Sequence, residues 1–113
     1  MIRALVVMTL VLVAGCRDSN TFELSGSELA ADVGCLACHG ETDSELAPTL
    51  HGMWGTQAEL ADGRTVVADE DYVRRAITDP AADVVVGYGP TMPPVPLEEA
   101  EVERLVEWVE SLR

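Results

Sequence analysis

The feature that most constrains this chain is Cys35-Leu36-Ala37-Cys38-His39. Two thiols three residues apart on a turn can each add to one of the two vinyl groups of a single porphyrin. The residue that follows then directs its imidazole at the iron from the same side. Cys-x-x-Cys-His is the pattern by which haem c is attached, so Cys35 and Cys38 are expected to form thioethers and His39 to be the proximal ligand. A thioredoxin-like redox pair would need a strand before Cys35 and a much longer α/β domain, and the sequence offers neither. Zinc would need four ligands, and after Cys35, Cys38 and His39 only His51 remains as a soft candidate.

The third cysteine is Cys16, and its setting is different. Arg3 is a lone positive charge, residues 4–14 are apolar except for Thr9, and Gly15 and Cys16 precede a polar stretch. That is the layout of a bacterial export signal over residues 1–15. The apolar run is too short to cross a bilayer comfortably, which takes roughly 20 residues. Leu12-Val13-Ala14-Gly15-Cys16 resembles the lipobox of bacterial lipoproteins, in which cleavage falls before the cysteine and the cysteine is acylated. More than one acyl chain separates stable anchoring from marginal binding. The expectation is an exported protein, periplasmic or on the outer face of a bacterial membrane, tethered by lipid on Cys16. Cysteine arithmetic then closes with none left for a structural disulfide.

The formal net charge is −13, from seven arginines and 20 acids with no lysine. Loss of the first fifteen residues removes Arg3 and makes it −14. A chain this acidic will not bind nucleic acid by neutralising phosphates. It would be steered towards basic patches on partner proteins in a salt-dependent way. Negative charge also serves solubility alone, and charge by itself names no partner.

The 113 residues leave room for one domain. Residues 16–24 read as a lipidated polar tether and 25–113 as the folded unit. Ser25 and Glu28 fit a capping box, opening a helix from about residue 26 to the Cys35 region. Residues 40–55 read as loop. Asp62-Gly63, between Gln57-to-Leu60 and Arg64-to-Ala68, is a two-residue hairpin signal. Asp69 is a good N-cap for a second helix carrying Tyr72, Val73, Ala76 and Ile77, stopped by Pro80. Residues 81–96 are irregular and rich in Gly and Pro. The last helix runs from about Glu98 to Ser111, with Val102, Leu105, Val106, Trp108, Val109 and Leu112 as its apolar stripe. The fold class is all-α with one small ribbon, and so small a core needs a staple, which buried haem would supply.

The sixth ligand decides between electron transfer and ligand chemistry, and the candidates are His51, Met53 and Met92. Met92 lies in Tyr88-Gly89-Pro90-Thr91-Met92-Pro93-Pro94. Such rigid, irregular backbone can bring a side chain to the far face of the iron. Met53 follows His39 too closely to leave its side, and His51 would give bis-histidine ligation with a much lower potential. A thioether opposite histidine raises the potential and fills the coordination sphere, which favours outer-sphere electron transfer over binding of peroxide or O₂. An open site would instead suit a haem enzyme or a gas- or peroxide-binding protein.

Taken in order, these residues resemble class I cytochromes c across the whole of residues 25–113. More narrowly, they are similar to the cytochrome c domain at the C-terminus of some bacterial cytochrome c oxidase subunits II. The matching stretches are Cys35 to His39, Pro48-Thr-Leu-His-Gly52 with Trp54-Gly55, Asp62-Gly63 and Ala68-Asp-Glu-Asp-Tyr72. They continue through Ile77-Thr-Asp-Pro80, Val86-Gly-Tyr88, Met92-Pro93 and Leu105-Val-Glu-Trp108 with Ser111-Leu112. The resemblance implies a cytochrome c fold with N- and C-terminal helices crossing, Gly34 near the crossing and Trp108 packed there, plus one middle helix. It implies that the Pro48 carbonyl accepts from His39 Nδ1–H, and that Trp54 and Tyr88 line the haem, reach a propionate or serve as core aromatics. It implies an electron carrier rather than an enzyme, with one covalent haem c and respiratory redox partners, a cytochrome c oxidase among them. Oxidase subunit II places a two-helix anchor and a dinuclear copper domain before its cytochrome, and neither is present in this sequence. A free-standing shuttle and a dedicated haem subunit of one oxidase or reductase both fit that departure.

Overall fold

The computed structural model describes residues 22–89 and 92–113. The signal-like segment, Cys16 and most of the tether lie outside the described residues, as do Pro90 and Thr91. Helix α1 spans Gly26–Asp32. Its capping box is reciprocal: Glu28 N–H donates to Ser25 Oγ at 3.3 Å, and Ser25 N–H donates to Glu28 Oε2 at 2.9 Å. The helix ends sooner than its apolar pattern predicts, because Gly34 takes φ +89°. A single 3₁₀ turn over Cys35–Ala37 follows. A left-handed residue is the usual way to stop a helix, and here it swings the cysteine pair out of the helical register.

Strands β1 (Gln57–Glu59) and β2 (Thr65–Val67) form an antiparallel ribbon with Ala58 opposite Val66. The connection is not the two-residue turn that Asp62-Gly63 suggests. A type I′ turn needs positive φ at both central residues, and no non-glycine residue described here has one. Instead Leu60 N–H donates to Arg64 O at 2.8 Å across a three-residue loop, with Gly63 at φ +89°. Leu60 is also buried and bridges to Val85. Ala61 N–H donates to Val84 O at 2.8 Å, and Val86 N–H to Glu59 O at 2.9 Å. The ribbon therefore pins the irregular segment after α2 in place.

Helix α2 (Glu70–Thr78) starts at Asp69, whose carboxylate accepts from Tyr72 N–H at 3.0 Å, and stops short of Pro80. Helix α3 (Glu99–Ser111) serves two apolar clusters at once. Val102, Val106 and Val109 pack with Tyr72, Val73, Leu60 and Ala68, while Leu105 packs with Leu29 and Ala30 of α1. The half-buried Arg74 fastens α2 to α3 by pairing with Glu70, Glu99 and Glu103. Among the described residues the result is three α-helices and a two-stranded ribbon, as the all-α reading anticipates.

The helix crossing departs from expectation in one residue. Gly26, not Gly34, sits where α1 meets α3: a Cβ there would lie 2.7 Å from Arg104 O and press on Trp108 Cβ, whereas one at Gly34 would touch nothing within 4 Å. Gly34 is needed for its backbone angle, and Gly26 for its lack of a side chain. Gly26→Ala should therefore destabilise the haem-loaded protein by about 1–3 kcal/mol through overpacking. Urea unfolding followed by far-UV circular dichroism measures this; an unchanged midpoint would mean that the helices are not in contact there.

Candidate functional site

The 3₁₀ turn sets the motif. His39 N–H donates to Cys35 O at 3.0 Å and Cys38 N–H donates to the same carbonyl at 3.3 Å, folding the five residues onto themselves. Both cysteines are free thiols, Cys35 half-buried and Cys38 exposed. Burial pushes the Cys35 thiol above its ordinary pKa. Redox-active cysteine pairs need the opposite, a stabilised thiolate.

His39 is held by one bond: Nδ1 lies 2.7 Å from the Pro48 carbonyl. A carbonyl can only accept, so Nδ1 carries the proton and the Nε2 lone pair is left for a metal. The loop that delivers Pro48 is itself closed by side chains. Thr49 Oγ1 donates to Gly40 O at 2.9 Å, Thr49 N–H donates to Asp43 Oδ1 at 2.8 Å, and Ser44 Oγ accepts from Leu46 and Ala47 N–H at 3.2 Å. Residues 40–55, legible only as loop, are thus a fixed brace for one imidazole.

Cys35 and His39 open onto a cavity walled by Val73, Ile77, Leu105 and Val109 from α2 and α3, with Leu50, Trp108 and Met92 also on its surface. A second, smaller hollow, lined by Val33, Leu46, Pro93 and Val95, shares Cys35, His39 and Met92 with the first. The donor set suits haem c: two thiols at one end, an imidazole of fixed tautomer, a thioether on the wall, and apolar side chains for the flat faces of a porphyrin.

Of the other residues singled out by sequence, Tyr88 and Pro48 line the larger cavity, and so does Met53, which also packs against the core. His51 is exposed and forms no part of the cavity wall. Trp54 is not among the lining residues either; it packs on the α2–α3 core and carries the Arg113 guanidinium 5.6 Å from its ring centroid. Its place as a core aromatic follows from the loop turning away at Gly55, which is at φ +79°.

Sequence reasoning missed Asp83. Its side chain is only 2% exposed and it lines the larger cavity. Arg64 Nη2 donates to Oδ1 at 2.7 Å and Arg75 Nε to Oδ2 at 2.5 Å. An aspartate before Val84-Val85-Val86 carries no local signal of such a role, because its partners come from the ribbon turn and from α2.

A small, mainly helical protein with a Cys-x-x-Cys-His turn opening onto an apolar cavity is the class that this fold and site define. A model of the Cytochrome c family matches residues 24–113, and the chain belongs to that family. It is accordingly a c-type haem electron carrier with covalently attached haem c. A search of curated proteins gave no match.

Burial alone would raise the Asp83 carboxyl, but the hydrogen bonds from Arg75 and Arg64 outweigh it and hold the group below its ordinary 3.8. A lowered folded-state pKa stabilises the fold fully above the unfolded value and is lost as pH falls through the folded one. Between pH 6 and pH 3 the urea midpoint of the wild type should therefore fall more than that of Asp83→Asn, which starts lower. Parallel pH profiles would show that Asp83 contributes nothing to acid sensitivity.

Proposed function

We propose that this chain is an exported, lipid-anchored cytochrome that passes one electron at a time between membrane-associated respiratory partners, its iron held by His39 and Met92. The observation that carries the reading is the pairing of a tautomer-fixed His39 with Met92, which lines both hollows, whereas Met53 lines only the larger one and packs against the core. When bound, haem c supplies a reversible Fe(III)/Fe(II) couple. Cys35 and Cys38 fix its orientation through thioethers. Pro48 sets the direction and basicity of the His39 imidazole. Met92 would complete the sphere and raise the potential, and the α2–α3 wall would keep water from the faces of the ring.

Partner choice follows from charge. Leu36 and Leu46 are exposed apolar residues near the exposed Cys38. Glu41, Asp43 and Glu45 lie in the loop that ends at Leu46. All five arginines among the described residues are ion-paired elsewhere. An apolar spot beside unneutralised acids suits a partner with a basic rim. The likeness of the ordered motifs to the cytochrome domain of oxidase subunits II favours a respiratory oxidase, and the lipobox-like Cys16 favours a tether at the membrane over free diffusion.

Oxidised wild-type protein should show the weak far-red charge-transfer band of an Fe(III)–methionine bond, and Met92→Ala should lose it. The reduced wild type should not bind CO rapidly at neutral pH. Absence of the band in the wild type, or rapid CO binding, would favour an open iron and ligand chemistry instead.

A further inference from the structure

The larger cavity is apolar except for a few groups, and Asp83 is the one carboxylate among its described lining residues. A buried anion in the lining of this cavity needs a physical account, because an uncompensated charge there is costly. Both of its oxygens are taken by guanidinium groups that approach from different elements, Arg64 from the ribbon turn and Arg75 from α2. Arg64 is shared with Asp62, 2.7 Å away, and both arginines keep about half of their side chains in solvent. The anion is thus inside the wall while the compensating cations sit at its outer edge. Tyr72 is a second cavity residue within reach of this cluster: its phenol is pushed above the ordinary value first by burial and then by the Asp83 charge, which the Arg75 charge opposes. Charges of both signs in this cluster thus act on a side chain of the cavity wall.

We propose that the Arg64–Asp83–Arg75 cluster tunes the reduction potential of the haem, Asp83 lowering it from inside the wall and the two arginines opposing that effect from the rim. The inference rests on haem c occupying this cavity. Reduction adds one electron to the haem and removes one positive charge from the iron. A nearby anion favours the oxidised form and a nearby cation the reduced one. In a low-dielectric wall such terms are only weakly screened. A purely structural clamp has a different signature: losing any member would loosen the wall, admit water and move the potential in one common direction.

The test is spectroelectrochemical titration of the haem-loaded protein and its variants, with circular dichroism verifying the fold. Asp83→Asn should raise the potential, shifting the Fe(III)/Fe(II) ratio at fixed poise by at least about threefold. Arg75→Gln and Arg64→Gln should lower it, and Arg75→Lys, which keeps the charge, should restore it towards the wild-type value. Potentials that all move the same way, or that stay put in folded, haem-loaded variants, would overturn the proposal. If Asp83→Asn does not fold, the arginine variants decide alone: unchanged or raised potentials in both refute it, as does failure of Arg75→Lys to restore a lowered one. A wild-type chain matured without covalent haem would instead remove the reading beneath it.

Discussion

The hydrogen bond from His39 Nδ1 to the Pro48 carbonyl is the link through which the motif and the fold depend on each other. On one side of it is a five-residue turn whose chemistry is set by residue type alone. On the other is a loop of no regular structure, closed by Asp43, Ser44 and Thr49, which would have no reason to be rigid unless it positioned something. The bond decides which imidazole nitrogen faces the cavity. It also couples the basicity of that nitrogen to the rigidity of the brace.

From this link the architecture can be followed outward. Helix α3 is the common wall, packing α1 through Leu105 and α2 through Val102, Val106 and Val109. Because Gly26 lets α1 lie close against Trp108, the turn at Cys35–Ala37 arrives at one end of the cavity. The ribbon is too short to be stable by itself. Its part is to pin residues 84–86 and to present Arg64, so that Asp83 and Tyr88 complete the far wall. Charge is organised in the same way. Among the described residues the arginines are engaged in internal ion pairs, and the acids near Cys38 form none.

Much of this was legible in the sequence because it is local. The cap at Ser25, the N-cap at Asp69, the stop before Pro80 and the apolar stripe of α3 are written within a few residues of where they act. The Cys-x-x-Cys-His motif is more local still. What could not be read depends on partners distant in sequence. Asp62-Gly63 suggests a two-residue turn, but Leu60 is drawn into the core and bridges to Val85, so the loop has three. Gly34 is the glycine expected at the helix crossing, and only the approach of Trp108 shows that Gly26 holds that place. Asp83 carries no signal at all, because Arg64 and Arg75 reach it from 19 and 8 residues away.

The central claim is that Cys35 and Cys38 hold one haem while His39 turns Nε2 towards its iron. The most direct measurement is mass spectrometry of the exported protein, matured with the c-type haem attachment machinery and digested to release the peptide containing residues 35–39. The account expects that peptide to carry one haem through two thioether bonds, with neither thiol alkylatable. Free thiols on both residues, or a Cys35–Cys38 disulfide without haem, would contradict it.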